Sequence, residues 1–288
     1  MLGEMPSGPS AEEILAEPGF PRARSAYIVE MLEQHEDQPA LNQMLFDEGR
    51  AFIFLTIITM HAGYLPDDRN TWPTIQLLQQ EMTKHGIASG GRVRDLVRRL
   101  SDIGYLDVET APGDRRVKLL KPSQKMLSQD QRILRVYYRP LHELFPVPGY
   151  PEPMRGDPQF QAMARQIGFA FIDHARRFIM ANPTIAFFLP RQAGIMVLTK
   201  LMQLWLETEA DAAQEISFID LGESFGISRT HVRELLRGAG SQGLLRLRGN
   251  SVTLEPGCRA GFDRFLADTM AGSDLVYRLA RQRLAGTT

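Results

Sequence analysis

The side chains best suited to chemistry in this chain are cationic and hydroxylic groups concentrated in two short stretches. The first holds Ser89, Gly90, Arg92, Arg94, Arg98 and Arg99, followed by Arg115, Arg116 and Lys118. The second holds Ser228, Arg229, Thr230, His231, Arg233 and Arg237, followed by Arg248. A guanidinium bonds bidentately to a phosphate or a guanine edge, and hydroxyl and imidazole groups reach either target. Both stretches therefore point to binding of a polyanion rather than to bond making.

Charge along the chain supports that reading. Residues 84–121 carry nine basic side chains against five acids, and residues 226–250 set five arginines against Glu234 alone. Residues 1–50 hold ten acids, among them Glu4, Asp37 and Asp47, against Arg22, Arg24 and Arg50. A formal net charge of -1 thus results from segregation, and it excludes only a uniformly basic protein.

Catalytic patterns are missing from the sequence. His35, His61, His85, His142, His174 and His231 are dispersed, with no HExxH or Cys/His cluster, no Walker loop and no GxSxG elbow. The pairs Asp67-Asp68 and Glu12-Glu13 have no acid/base companion and read as solvated faces. No enzyme activity, metal or cofactor is expected. The lone Cys258 cannot form an intrachain disulfide, which favours a reducing, cytoplasmic setting. The acidic start MLGEMPSGPSAEEILAEPGF does not read as a signal peptide, and the apolar windows at 51–60 and 193–206 are too short or too polar for a membrane span.

Elements must hold the two basic stretches, and the stretches are copies. Ser89 to Arg98 aligns with Ser228 to Arg237 at a constant offset of 139, and the match continues to Gly104-Tyr105-Leu106 over Gly243-Leu244-Leu245. In the first copy the spacing predicts a helix from Thr74 to Lys84 with Ile75, Leu78 and Met82 inward. Gly86 permits a turn, and Ser89 caps a second helix with Val93, Leu96, Val97 and Leu100 inward. Gly104 closes it. Tyr105 to Glu109 and Val117 to Leu120 are expected to form a hairpin whose tip, 111–116, carries Arg115 and Arg116. Asp114 is placed to orient an adjacent arginine by a charge-assisted bond. The second copy runs from Phe218 to Phe225, through Gly226 and Ser228, to a shorter hairpin of Leu244 to Leu247 and Ser251 to Leu254.

The segment SGGRVRDLVRRLSDIGYLDVETAPGDRRVKLL, Ser89 to Leu120, resembles the MarR-like winged-helix transcriptional regulators. The resemblance implies that the Arg-rich helix enters the major groove and that Arg116, matching the family's wing arginine, approaches the minor groove. This chain departs from the family in its length, in its second apparent winged helix, in Lys121-Pro122 where a Thr commonly follows the wing strand, and in a second tip without Asp-Arg-Arg.

The remaining sequence supplies supporting helices. Gln124 to Leu144 is expected to connect, Pro146 to Pro153 to be too proline-dense for a regular helix, and 160–178 and 192–207 to be helical. Their apolar stripes are expected to pack within the domain, against its twin or across a homodimer; lining a small-molecule effector pocket is the alternative. The fold expected is mainly α with small β-wings: tandem winged helix-turn-helix units joined by additional helices. The expected division is 1–145, a proline-rich connection at 146–158, and 159–288. The function expected is sequence-selective binding of double-stranded DNA to regulate transcription, with repression by promoter obstruction the simplest mechanism. The alternatives are a winged-helix protein-interaction module in chromosome organisation and a replication initiator.

Overall fold

The computed structural model describes residues 8–36, 41, 44–45, 48–208 and 213–286; Glu4, Asp37 and Asp47 of the acidic segment lie outside them. The protein is mainly helical, with two small antiparallel sheets. Ser10 caps α1 (Ala11–Ala16) through a reciprocal capping box with Glu13, which satisfies two amides at its start. After α2 (Phe20–Glu36) comes α3 (Glu48–Ala62), whose Ile53, Phe54, Ile57 and Ile58 are buried.

Next come α4 (Ile75–Lys84), α5 (Gly90–Asp102), β1 (Leu106–Ala111) and β2 (Asp114–Pro122). Leu78 and Met82 of α4 and Val93, Leu96, Val97 and Leu100 of α5 bury the faces their spacing predicts, and they share a core with α3. A long helix, α6 (Gln124–Leu144), leaves this core. Its Met126 belongs to the smaller core and its Leu134, Val136, Tyr138 and Leu141 to the larger one, so a single rod spans both.

The proline-dense segment contains a four-residue helix, α7 (Pro151–Met154), started by prolines whose missing amides cost nothing in a first turn. It does not hang as a loose connection. Tyr150 and Glu152 are buried, and their side chains hydrogen-bond Asp274 and Tyr277. The run expected at 160–178 is two helices, α8 (Pro158–Ala170) and α9 (Ile172–Met180), broken at Phe171, where φ is -100° and ψ is 5°. Asn182 caps α10 (Pro183–Phe188), and α11 (Gly194–Glu207) follows.

The second copy consists of β3 (Gln214–Glu215), α12 (Phe218–Phe225), α13 (Arg229–Ser241), β4 (Leu245–Arg248) and β5 (Ser251–Leu254). β5 is the middle strand of its sheet, paired with β4 and β3. The chain then enters α14 (Pro256–Ala285), whose apolar face buries Phe262, Leu266 and Met270.

The cores do not follow chain order. Ile14, Ala23, Tyr27 and Ile28, expected within the first unit, bury in the larger core with α6, α8 and α10 to α14. Apolar helix faces settle where surface is buried, irrespective of sequence distance. Polar contacts then fix the two bodies together. Asp130, fully buried on α6, accepts from the Arg165 side chain of α8 at 2.7 to 3.1 Å, and Gln166 donates to the Ala62 carbonyl at 2.6 Å. No helix among the described residues is long and apolar enough to cross a membrane.

Candidate nucleic-acid interface

Two pairs of matching local devices set the basic helices. Gly86 and Gly226 both adopt φ of +62°, and the next amides, Ile87 and Ile227, donate back to Met82 and Gly222 at 2.9 Å. This left-handed closure ends the first helix of each pair and turns the chain. Ser89 and Ser228 then cap the second helices, accepting from the amides of Arg92 and His231 at 3.4 and 3.1 Å. Gly104 and Gly243 close those helices at φ of +73° and +69°, and the amides of Tyr105 and Leu244 return to Leu100 and Ala239.

At the first helix entrance Ser89, Gly91, Arg92 and Arg94 are exposed and Gly90 is half-buried. Gln79 of α4 donates to the Gly90 carbonyl at 3.0 Å, a brace that no periodicity signal announces. Arg98 and Arg99 are exposed but share Asp95, at 3.1 and 2.9 Å. The hydrogen bond from Arg98, followed by the charges of both arginines, holds the Asp95 carboxyl below its ordinary range. Arg94 has no ion-pair partner among the described residues. The turn below is tied to α9 by His85, whose Nδ1 lies 2.7 Å from Asp173 and whose Nε2 lies 3.5 Å from Glu81.

The first wing is longer than its sequence predicts. β1 and β2 pair through Ala111 and Asp114, with a bulge at Thr110/Ala111, so the turn is only Pro112-Gly113. Arg115 and Arg116 consequently sit inside β2, exposed, instead of in the tip loop. Asp114 does not orient a neighbouring arginine side chain. Its Oδ1 accepts from the Arg116 backbone amide at 3.1 Å, and its other oxygen lies 3.8 Å from Arg69, which stacks over Trp72. Adjacent strand residues point to opposite faces, which takes the Arg115 side chain away from its neighbour, whereas Arg69 arrives across the sheet edge. Lys118 donates to the Thr110 hydroxyl at 2.7 Å.

The second copy presents less of its helix. Ser228, Arg229 and Thr230 are exposed, but His231 Nε2 lies 3.1 Å from the Gln192 carbonyl and Gly238 packs against Phe187. The segment after α10 therefore braces α13 and engages one predicted contact residue. Arg237 pairs with Glu234 at 3.0 Å and Arg246 with Glu255 at 2.9 Å. Arg233, Arg237, Arg246 and Arg248 line a cleft of about 750 Å³ between α13 and the second hairpin. Its wing is the shorter, with a Gly249-Asn250 turn and Gly249 at φ of +63°.

Among the described residues, no group of three or more His, Cys, Asp or Glu side chains is placed to hold a metal ion. Residues that sequence reading missed, Gln79, Arg69, Gln192 and Phe187, act through contacts distant in sequence. No protein-family model, curated protein or solved structure matches this chain.

Proposed function

We propose that the chain is a winged-helix regulator of transcription that binds duplex DNA sequence-selectively. The carrying observation is the conjunction, in the smaller body, of a Ser-capped helix with exposed Arg92 and Arg94 and a hairpin with exposed Arg115 and Arg116. A helix of this size fits the major groove, and a hairpin beside it can reach the backbone or the minor groove. Arg92 and Arg94 lie in the first turns of α5, where recognition helices meet base edges. Gly90 and Gly91 keep that entrance small enough for close backbone approach, and helix amides there suit a phosphate.

The second unit adds backbone contacts. Its cleft offers Arg233 and Arg248, which have no ion-pair partners among the described residues, while Arg237 and Arg246 share their charge with carboxylates. Promoter occupancy is the mechanism that asks least of the molecule. The buried, unpaired thiol of Cys258 agrees with a reducing, cytoplasmic setting.

Genomic affinity selection with the purified protein, followed by footprinting, tests the reading. Promoter-centred, salt-sensitive sites are expected. Clustering at one origin would replace regulation by initiation, and absence of salt-sensitive binding would replace it by a protein-assembly role.

A further inference from the structure

The loop between α3 and α4 is tied more firmly than a connection needs. The Thr71 hydroxyl accepts from the Leu65 amide at 2.8 Å and lies within donating distance of the Leu65 and Asp68 carbonyls, at 3.1 and 2.8 Å. Trp72, 6% exposed, donates from its indole to the Pro66 carbonyl at 3.1 Å. Arg69 opens the single 3-10 turn that these bonds fix, so its side chain leaves from a set backbone.

The loop closes on the first wing. Trp72 packs with Ala111 and Leu119 of the hairpin, and Tyr64 and Val117 complete the cluster, whereas Leu120 belongs to the smaller core. The two faces of β2 are thereby assigned. Val117 and Leu119 lie toward the loop, and strand alternation puts Arg115 with them and Arg116 and Lys118 on the opposite face.

Arg69 adds a second cation on the Arg115 side. It stacks over the Trp72 ring at 5.2 Å, yet its side chain is 69% exposed. Asp114 stands 3.8 Å away, beyond hydrogen-bond range, so the guanidinium keeps its donors for another acceptor. Asp68 is occupied, its Oδ1 accepting the Asn70 amide at 3.0 Å, and Asp67 is the loop's exposed acid.

A hairpin laid in a minor groove has one sugar-phosphate strand on each side of it. We propose that the loop at 64–72 is part of the DNA-binding surface, with Arg69 and Arg115 holding phosphates of one strand while Arg116 and Lys118 face the other. The proposal rests on the duplex-DNA reading and adds to it a contact residue outside both helix–turn–helix copies.

The test is fluorescence anisotropy across a salt series, on the tightest duplex recovered by genomic affinity selection. Arg69→Met drops the charge and keeps an apolar stem over Trp72; affinity should fall several-fold at low salt and the salt slope by about 0.9. Arg69→Lys should restore the slope, and Asp67→Asn should tighten binding. Neutral methylphosphonates on one strand beside the wing should erase the effect of Arg69→Met and leave that of Arg116→Met intact. An unchanged slope in Arg69→Met, or loss of both effects through the same strand, would overturn the proposal. If Arg69→Met does not fold, unchanged binding by Asp67→Asn would do so. Absence of salt-sensitive binding by the unmodified chain would instead overturn the DNA reading itself.

Discussion

The side-chain amide of Gln79 donates to the carbonyl of Gly90 at 3.0 Å, joining the two helices of the first helix–turn–helix where the second begins. A Cβ on Gly90 would stand 3.2 Å from the same nitrogen, so the Gln79 carboxamide would have to give way by a few tenths of an ångström. Removing the brace by Gln79→Ala should cost about 1 kcal/mol of stability, the usual net value of one such bond. DNA affinity should fall with it, because the entrance of α5 loses its fixed position. An unchanged urea midpoint together with unchanged affinity would show that the bond positions nothing.

Asp95 draws on both Arg98 and Arg99, whereas Arg94 stands unpaired among the described residues. Arg94→Ala should therefore weaken DNA binding more than Arg98→Ala. Each arginine on a phosphate contributes about 0.9 to the slope of log affinity against log salt. Asp95→Asn releases both partners and should strengthen binding several-fold at low salt while steepening that slope. Fluorescence anisotropy across a salt series reads all three variants, and weaker binding by Asp95→Asn would remove Arg98 and Arg99 from the interface.

The legible parts of this fold are those whose signals are local. Ser89 and Ser228 as caps, Gly104 and Gly243 as helix ends, and the buried face of α5 follow from spacing and side-chain chemistry. The bounds of α6, Gln124–Leu144, were also readable from its amphipathic pattern despite Pro140. Contacts made across the fold were not. Nothing near His231 announces the Gln192 carbonyl, and nothing near Asp114 announces Arg69. The two-residue strand β3 carries too little pattern to be read at all, and it exists because β5 offers it an edge. The place of helices α1 and α2 in the larger core is set by which apolar surface they meet.

On the first wing, Arg116 sits in β2 with its amide donating to Asp114, so its side chain leaves from a fixed backbone. Arg116→Ala should reduce affinity more on sites with a narrow A·T-rich minor groove under the wing than on matched G·C-rich sites. Equal losses on both would make it a generic phosphate contact, and no loss would take it out of the interface. Asp114→Ala should reproduce part of the discrimination loss by freeing the turn.

Stability should fall on mild acidification because of His61. At the end of α3, burial, followed by the nearby charge of Lys121, holds its pKa below the ordinary 6.5, and Glu109 only partly opposes this. The neutral imidazole is the form the fold accepts, so its contribution is complete above pH 6.5 and is lost as pH falls through the depressed folded value. Chemical denaturation between pH 8 and 5 should show that decline, and His61→Gln should flatten it. An identical pH profile in the variant would assign the decline to other groups.

The two helix–turn–helix copies are predicted to divide the work of recognition. In the second, Gln192 holds His231, Phe187 crowds Gly238, and a cationic cleft opens between helix and wing. Phosphate contacts carry no sequence information, so losing them should weaken every duplex alike. The double substitution Arg233→Ala with Arg248→Ala should therefore lower affinity equally on specific and scrambled duplexes and reduce the salt slope by about 2. Arg94→Ala should instead narrow the gap between those duplexes. If the double variant narrows that gap as much as Arg94→Ala does, both copies read bases. If it leaves affinity and footprint intact, the second copy supports the fold without touching DNA.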